Sequence, residues 1–228
     1  MNEETGRVIS RRGWKGESLV IPLGVDPARF KKIDAGALRE RIGLNWFTIG
    51  FAGKLDAQKN PLGLIRAAAG LGDDFNLLII GEGPLRKDCH RLAAELGIGE
   101  KTFFPGPVPH ERMPEYLNCL DCLVMPSLTR KNLKEQFGRV LIEAMSCAVP
   151  VVGSDSGEIP AVIGESGLVL PEGDTTALRA ALSRLRDDPS LINRLGEEGR
   201  RRAEEKYSWA AVARCQIGVY RRLLGEAS

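Results

Sequence analysis

Short apolar runs recur at regular intervals through the middle of the chain, and helical patterns fill the gaps between them. The runs are FTIGFAG (47–53), NLLIIG (76–81), KTFFPG (101–106), CLVMPS (122–127), PVVGSD (150–155) and SGLVLP (166–171). Several are nearly unbroken in apolar residues, which predicts strands covered on both faces rather than one. Between them, NPLGLIRAAAGL opens on Asn60, a good N-cap, with Pro61 at the first helical position. GPLRKDCHRLAAELG ends on Gly97, a natural C-terminal stop, and HERMPEYLNCL and FGRVLIEAMSC follow. The alternation predicts an α/β fold: a doubly wound, parallel, Rossmann-like sheet of about six strands with right-handed crossovers.

The two ends of the chain read differently. After Asp174 the pattern is helical throughout, in TTALRAALSRLRDD, PSLINRLGEEGRRRAEEKY and SWAAVARCQIGVYRRLL. Near the start, LVIPL (19–23) reads as a short strand and Gly24-Val25-Asp26-Pro27 as a turn, in a segment too short to be a domain of its own.

Composition narrows the field without naming a function. At 228 residues, 43% apolar and 27% charged, the chain matches an ordinary soluble globular protein. A net charge of +2 is too small to suggest nucleic acid as a partner, and RRRAEEK mixes both signs as a solvated helix face does. No apolar run approaches the roughly 18 residues of a membrane span. The opening MNEETGRVIS lacks a signal peptide's apolar centre, so a cytoplasmic location is expected. Five cysteines argue against a disulfide framework. Cys119 and Cys122 form a C-x-x-C, but at a helix end and a strand start, where small packing residues are expected. His90 and His110 have no partner motif and are expected at surface or capping positions.

In an open parallel sheet, ligands bind outside the carboxyl ends of the strands. Gly53-Lys54, Gly81-Glu82-Gly83, Gly106-Pro107-Val108, the loop carrying Glu135, and Ser154 to Glu158 all fall there. Lys54 and Lys59, leaving the first strand, can clamp a diphosphate beside a helix N-terminus. Alone, that stretch reads as two solvated surface lysines. GEGP (81–84) is not a dinucleotide fingerprint, because Arg86 stands where the third glycine would be. Its glycines still permit close backbone approach to a ligand, and Arg86 can face the same crevice.

KEQFGRVLIE (134–143) places two carboxylates around a helix start. The first N–H groups of that helix make a phosphate seat, with Gly138 allowing close approach. A carboxylate beside a phosphate needs another partner, and vicinal hydroxyls supply one. Glu143 then fits a ribose and Glu135 a sugar. A capping Glu135 and a salt-bridged Glu143 explain the spacing equally well.

With VIPLGVD (20–26), GKLDAQKNP (53–61), LLIIGEGP (77–84), PG-PVPHERMPEYL (105–117), MPS (125–127), EQFGRVLIEAMSCAVPVVGSDSGEIPAVI (135–163), GLVLPEGD (167–174) and YSW (207–209), the chain resembles the C-terminal, donor-binding half of a retaining glycosyltransferase of the GT-B fold, in glycosyltransferase group 1 (family 4). The resemblance implies that Lys54 and Lys59, with backbone N–H groups of Phe137, Gly138 and Arg139, hold the diphosphate of a nucleotide sugar. It implies that Glu135, with Gln136 beside it, contacts the transferred sugar nearest the reacting carbon, in a positioning role rather than as nucleophile. Glu143 would take the ribose, and the backbone near Val108, with Arg86, the base. No metal and no cofactor beyond the nucleotide sugar are implied. The family more often has Arg where Lys54 stands, Asn where Leu23 stands and Gly where Ala148 stands. The loop LTRKNLK is long for the family, and its basic residues could close over the donor. By the same resemblance, residues 1–20 would be a remnant of an N-terminal domain and hinge. Residues 21–207 would be the nucleotide-sugar domain, and 208–228 a helix crossing back to the absent N-terminal domain. A sugar-nucleotide epimerase of the same fold and a non-catalytic nucleotide-binding module are the alternatives.

Overall fold

The computed structural model describes residues 6, 9–16, 19–131 and 133–225. Six parallel strands form one sheet: β1 (Phe47–Ala52), β2 (Phe75–Ile80), β3 (Thr102–Gly106), β4 (Cys122–Met125), β5 (Val151–Ser154) and β6 (Leu168–Leu170). Their order is β3-β2-β1-β4-β5-β6. β1 pairs with β2 from Phe47↔Phe75 to Ala52↔Ile80, and with β4 at Ile49↔Cys122. The direction of winding therefore reverses between β1 and β4, and the crevice beyond their carboxyl ends is where such a sheet takes ligands.

Burial on both faces explains why the strands read as apolar runs. Leu78 and Ile80 of β2 point into one core layer with Leu123, Met125 and Leu141. Leu77 and Ile79 point into the other with Phe51, Leu64, Val124 and Leu182. Each such side chain contributes roughly 1.5–3 kcal/mol by leaving water. The helices flanking the sheet are α1 (Gly36–Ile42), α2 (Pro61–Ala68), α3 (Arg86–Glu95), α4 (Met113–Leu117), α5 (Arg139–Ser146), α6 (Ile159–Ile163), α7 (Thr175–Asp187) and α8 (Pro189–Arg202), and α9 (Trp209–Leu224) follows them along the chain. Asn60 caps α2 as expected, its side chain accepting from Gly63 N. Asp174, Asp188 and Ser208 cap α7, α8 and α9 in the same way.

The strand expected at 19–23 does not form. Only Val25 pairs, donating from its N–H to Tyr207 O at 2.7 Å and accepting from Trp209 N at 3.1 Å. The chain beside it turns at Ser208 into α9, which leaves no backbone to extend a ladder. The turn expected at Gly24–Pro27 lies further on, because Val25 is taken up by its bridge: the Asp26 side chain accepts from Ala28 N, and its carbonyl accepts from Phe30 N. The segment from Pro27 to Ile33 is stitched to the rest of the domain. Arg200 donates to the carbonyls of Pro27, Phe30 and Ser146, and Asn118 bridges Lys31 and Ile33. Arg202 and Tyr207 donate to the last carbonyls of α6, at Ala161 and Val162. The region expected as a remnant and hinge, 1–20, lies partly outside the described residues. Among the described residues, no helix is long and apolar enough to cross a membrane.

Candidate functional site

The loop leaving β1 is shaped by Asp56, whose carboxylate accepts from the N–H groups of Gln58 and Lys59. This turn points Lys59 across the crevice, where its ammonium donates to Glu135 Oε2. Ser127 Oγ, just beyond β4, donates to the same oxygen at 3.3 Å. The backbone of Glu135 is held as well. Glu158 N donates to its carbonyl at 3.0 Å, and a Cβ at Gly157 would collide with it. Three strand-end loops thus converge on Glu135, two on its buried carboxylate and one on its backbone. Lys54 stands apart: its side chain is 68% exposed, with Nζ 3.7 Å from Asp56 Oδ2, against 22% exposure for Lys59.

Gly138 turns the chain into α5 in the left-handed region (φ 77°, ψ 59°). A Cβ there would lie 2.8 Å from Met125 Sδ, so only glycine fits without displacing the β4 side chain. Phe137 is anchored edge-on against Tyr207, with ring centroids 5.7 Å apart at 83°. Gln136 and Arg139 are exposed on either side. At the head of α5, Leu141 N already donates to Gly138 O at 2.8 Å, whereas N–H groups ahead of it have no acceptor within a helix and carry its positive dipole end. Glu143, in the second turn, is buried, and its Oε1 lies 3.0 Å from His110 Nε2.

His110 opens the short helical turn after the β3 loop, two residues after Val108; it is exposed, as expected, and it is also paired with Glu143. Nothing in the sequence spacing between 110 and 143 announces the pair. Arg86, the first residue of α3, donates to Glu82 at 2.8 Å and lies over Gly106 at the head of the same loop. The glycines of GEGP serve the protein itself: a Cβ at Gly81 would strike Gly53 O, and one at Gly83 would strike the backbone of Leu55. The loop of LTRKNLK is also tied down. Leu128 N donates to Gln58 O at 2.7 Å, Arg130 donates to Ala57 O, and Arg130 and Leu133 pair through their backbones.

The structure therefore brings Lys59 and Glu135 into contact, sets Phe137, Gly138 and Arg139 at the head of α5, and places Glu143 behind them. Arg86 and Val108 sit by the β3 loop. The cysteines take no part. Cys119 and Cys122 are buried, and burial raises the Cys119 thiol to about 11 and pushes Cys122 up as well. Both stay protonated packing groups. Among the described residues, no group of three or more His, Cys, Asp or Glu side chains is placed to hold a metal ion.

The family described as "Glycosyl transferases group 1" matches residues 39–202. A 2-deoxystreptamine glucosyltransferase of Streptomyces kanamyceticus is 30% identical over 99% of this chain and 60% of its own length. A GDP-mannose-dependent phosphatidylinositol monomannoside mannosyltransferase of Mycolicibacterium smegmatis is 35% identical over 83% of this chain and 52% of its own. The chain thus spans little more than half the length of these curated relatives. Among solved structures, a sucrose-phosphate synthase of Thermosynechococcus elongatus superposes with a TM-score of 0.82 at 28% identity, covering 97% of this chain and 57% of that one. HepE of Anabaena, solved in complex with UDP and glucose, shares the fold at a TM-score of 0.86 and 21% identity, covering 96% of this chain and 61% of that one.

Proposed function

Since the chain belongs to the group 1 glycosyltransferases, we propose that it is the donor-binding half of a retaining enzyme that moves a sugar from a nucleoside diphosphate to an acceptor hydroxyl. The observation that supports this reading best is the pair of buried carboxylates, Glu135 and Glu143, flanking the N-terminus of α5 at the switch point of the sheet. A diphosphate seated on the α5 N–H groups would meet Lys59, whose ammonium has three donors and spends one on Glu135. Exposed Lys54 would close from the solvent side. When the bond between the anomeric carbon and the diphosphate oxygen breaks, the charge arriving on that oxygen would find lysines and a helix dipole already aimed at it.

In this reading Glu135, steered by Lys59 and Ser127, accepts from sugar hydroxyls, with Gln136 alongside. Glu143 accepts from the ribose, and the Val108 loop with Arg86 borders the base. The acceptor would be held by an N-terminal domain outside residues 21–207. The names of the relatives leave the base open, so the direct test is calorimetric titration with UDP, GDP, ADP and their sugar conjugates. Glu143→Ala is expected to weaken the bare nucleotide by about tenfold or more, the worth of a hydrogen bond to an ionised group. Glu135→Ala is expected to weaken the sugar conjugate more than the bare nucleotide. Equal losses on both ligands would contradict the assigned roles, and no binding of any nucleotide would favour a different kind of module.

A further inference from the structure

We infer that His110 is a positioning residue for ribose recognition, holding Glu143 in the orientation that reads the 2′- and 3′-hydroxyls; this rests on the reading of the site above. The Glu143 side chain is only 7% exposed, and it emerges from a helix whose neighbouring residues Leu141, Ile142, Ala144 and Met145 are fully buried. A carboxylate so placed reaches a ligand only along one direction, and a free terminal torsion would blur that direction. His110 removes the freedom by bonding Oε1 at 3.0 Å. A carboxylate has about four acceptor positions, so one bond to imidazole leaves acceptors for two hydroxyls.

The histidine is itself fixed. Its ring lies 5.3 Å from that of Phe30, and the Phe30 carbonyl is held by Ser146 Oγ at 2.7 Å and by Arg200 at 3.0 Å. His110 also follows Pro109, whose ring restricts the backbone between Val108 and the histidine. One short loop thereby borders the proposed base contact and steers the proposed ribose contact. A base that displaced the loop would also misdirect Glu143, so base and ribose would be read together rather than independently.

The test compares each ribonucleotide that binds, among UDP, GDP and ADP, with its 2′-deoxy counterpart. The unaltered chain is expected to prefer the ribonucleotide by about tenfold, as a bond to an ionised acceptor warrants. His110→Ala is expected to cut that preference below about threefold while keeping most of the affinity for the deoxynucleotide. His110→Gln, which retains a donor, should restore part of it. In a Glu143→Ala background, His110→Ala should change the preference no further. A His110→Ala chain that discriminates like the unaltered one overturns the inference, as does an equal loss on both ligands, which would mark a merely structural role. The side chain is 50% exposed, so its truncation leaves the fold intact, checked by circular dichroism. If the unaltered chain binds none of the three nucleotides, the site reading itself falls and takes this inference with it. If they bind and Glu143→Ala weakens them, only the role of His110 is being judged.

Discussion

At the scale of single residues, the two lysines of the first loop have unequal work. Lys59 neutralises a buried carboxylate, whereas Lys54 is largely in water. Lys59→Met would leave Glu135 with Ser127 as its remaining described side-chain donor, and the unpaired charge should cost about 2 kcal/mol of stability. Lys54→Met should stay within about 0.5 kcal/mol. Urea denaturation of both variants checks this, and similar midpoints would show that the Lys59–Glu135 pair contributes nothing to the free protein. Both residues were legible as candidates from the loop and its charges. Their difference was not, because it depends on the Asp56 turn and on where Glu135 lies in space. His110 was illegible for the same reason: its partner is on another element, and no periodic pattern connects a loop histidine to a helix glutamate.

At the scale of elements, the sheet was legible because each strand is buried on both faces. β2 needs apolar side chains at Leu77 and Ile79 for one layer and at Leu78 and Ile80 for the other, so its sequence has no polar interruption there. LVIPL carries a similar pattern and forms no strand, since a strand also needs a partner to bond with. The end of α5 shows a local cost. Ala148 sits at φ 58°, in the left-handed region that L-residues avoid, where N–H groups of Ala148 and Val149 close the helix onto Met145 and Ala144. Ala148→Gly removes that strain but loosens the unfolded chain, for a net gain of about 0.5 kcal/mol. Thermal melting should rise by about 1–2 °C. A fall would mean that the Ala148 methyl makes packing contacts worth more than the strain.

At the scale of the whole molecule, α9 is the element least committed to the domain. Val212 is its buried residue, while Trp209, Ile217, Tyr220, Leu223 and Leu224 remain exposed. We propose, as the resemblance implies, that this helix crosses to another domain. A chain ended after Ala213 keeps Val212 and the Ser208 cap, and its melting temperature should fall by no more than about 3 °C. A drop of about 10 °C or more in differential scanning calorimetry would show that α9 belongs to this core.

The pairing of Val25 with Tyr207 and Trp209 has a mechanical consequence. It brings the segment entering the domain and the segment leaving it to one point, so that everything between 25 and 208 is a loop pinched shut at its base. Gly24, at the entry, has no room for a side chain against the Trp209 ring at the exit. Were a further domain joined ahead of residue 24 and packed on α9, that point would be their shared pivot. A rotation there would swing the domain as one piece, leaving Lys59, Glu135, Glu143 and His110 at unchanged distances from one another while altering what faces them.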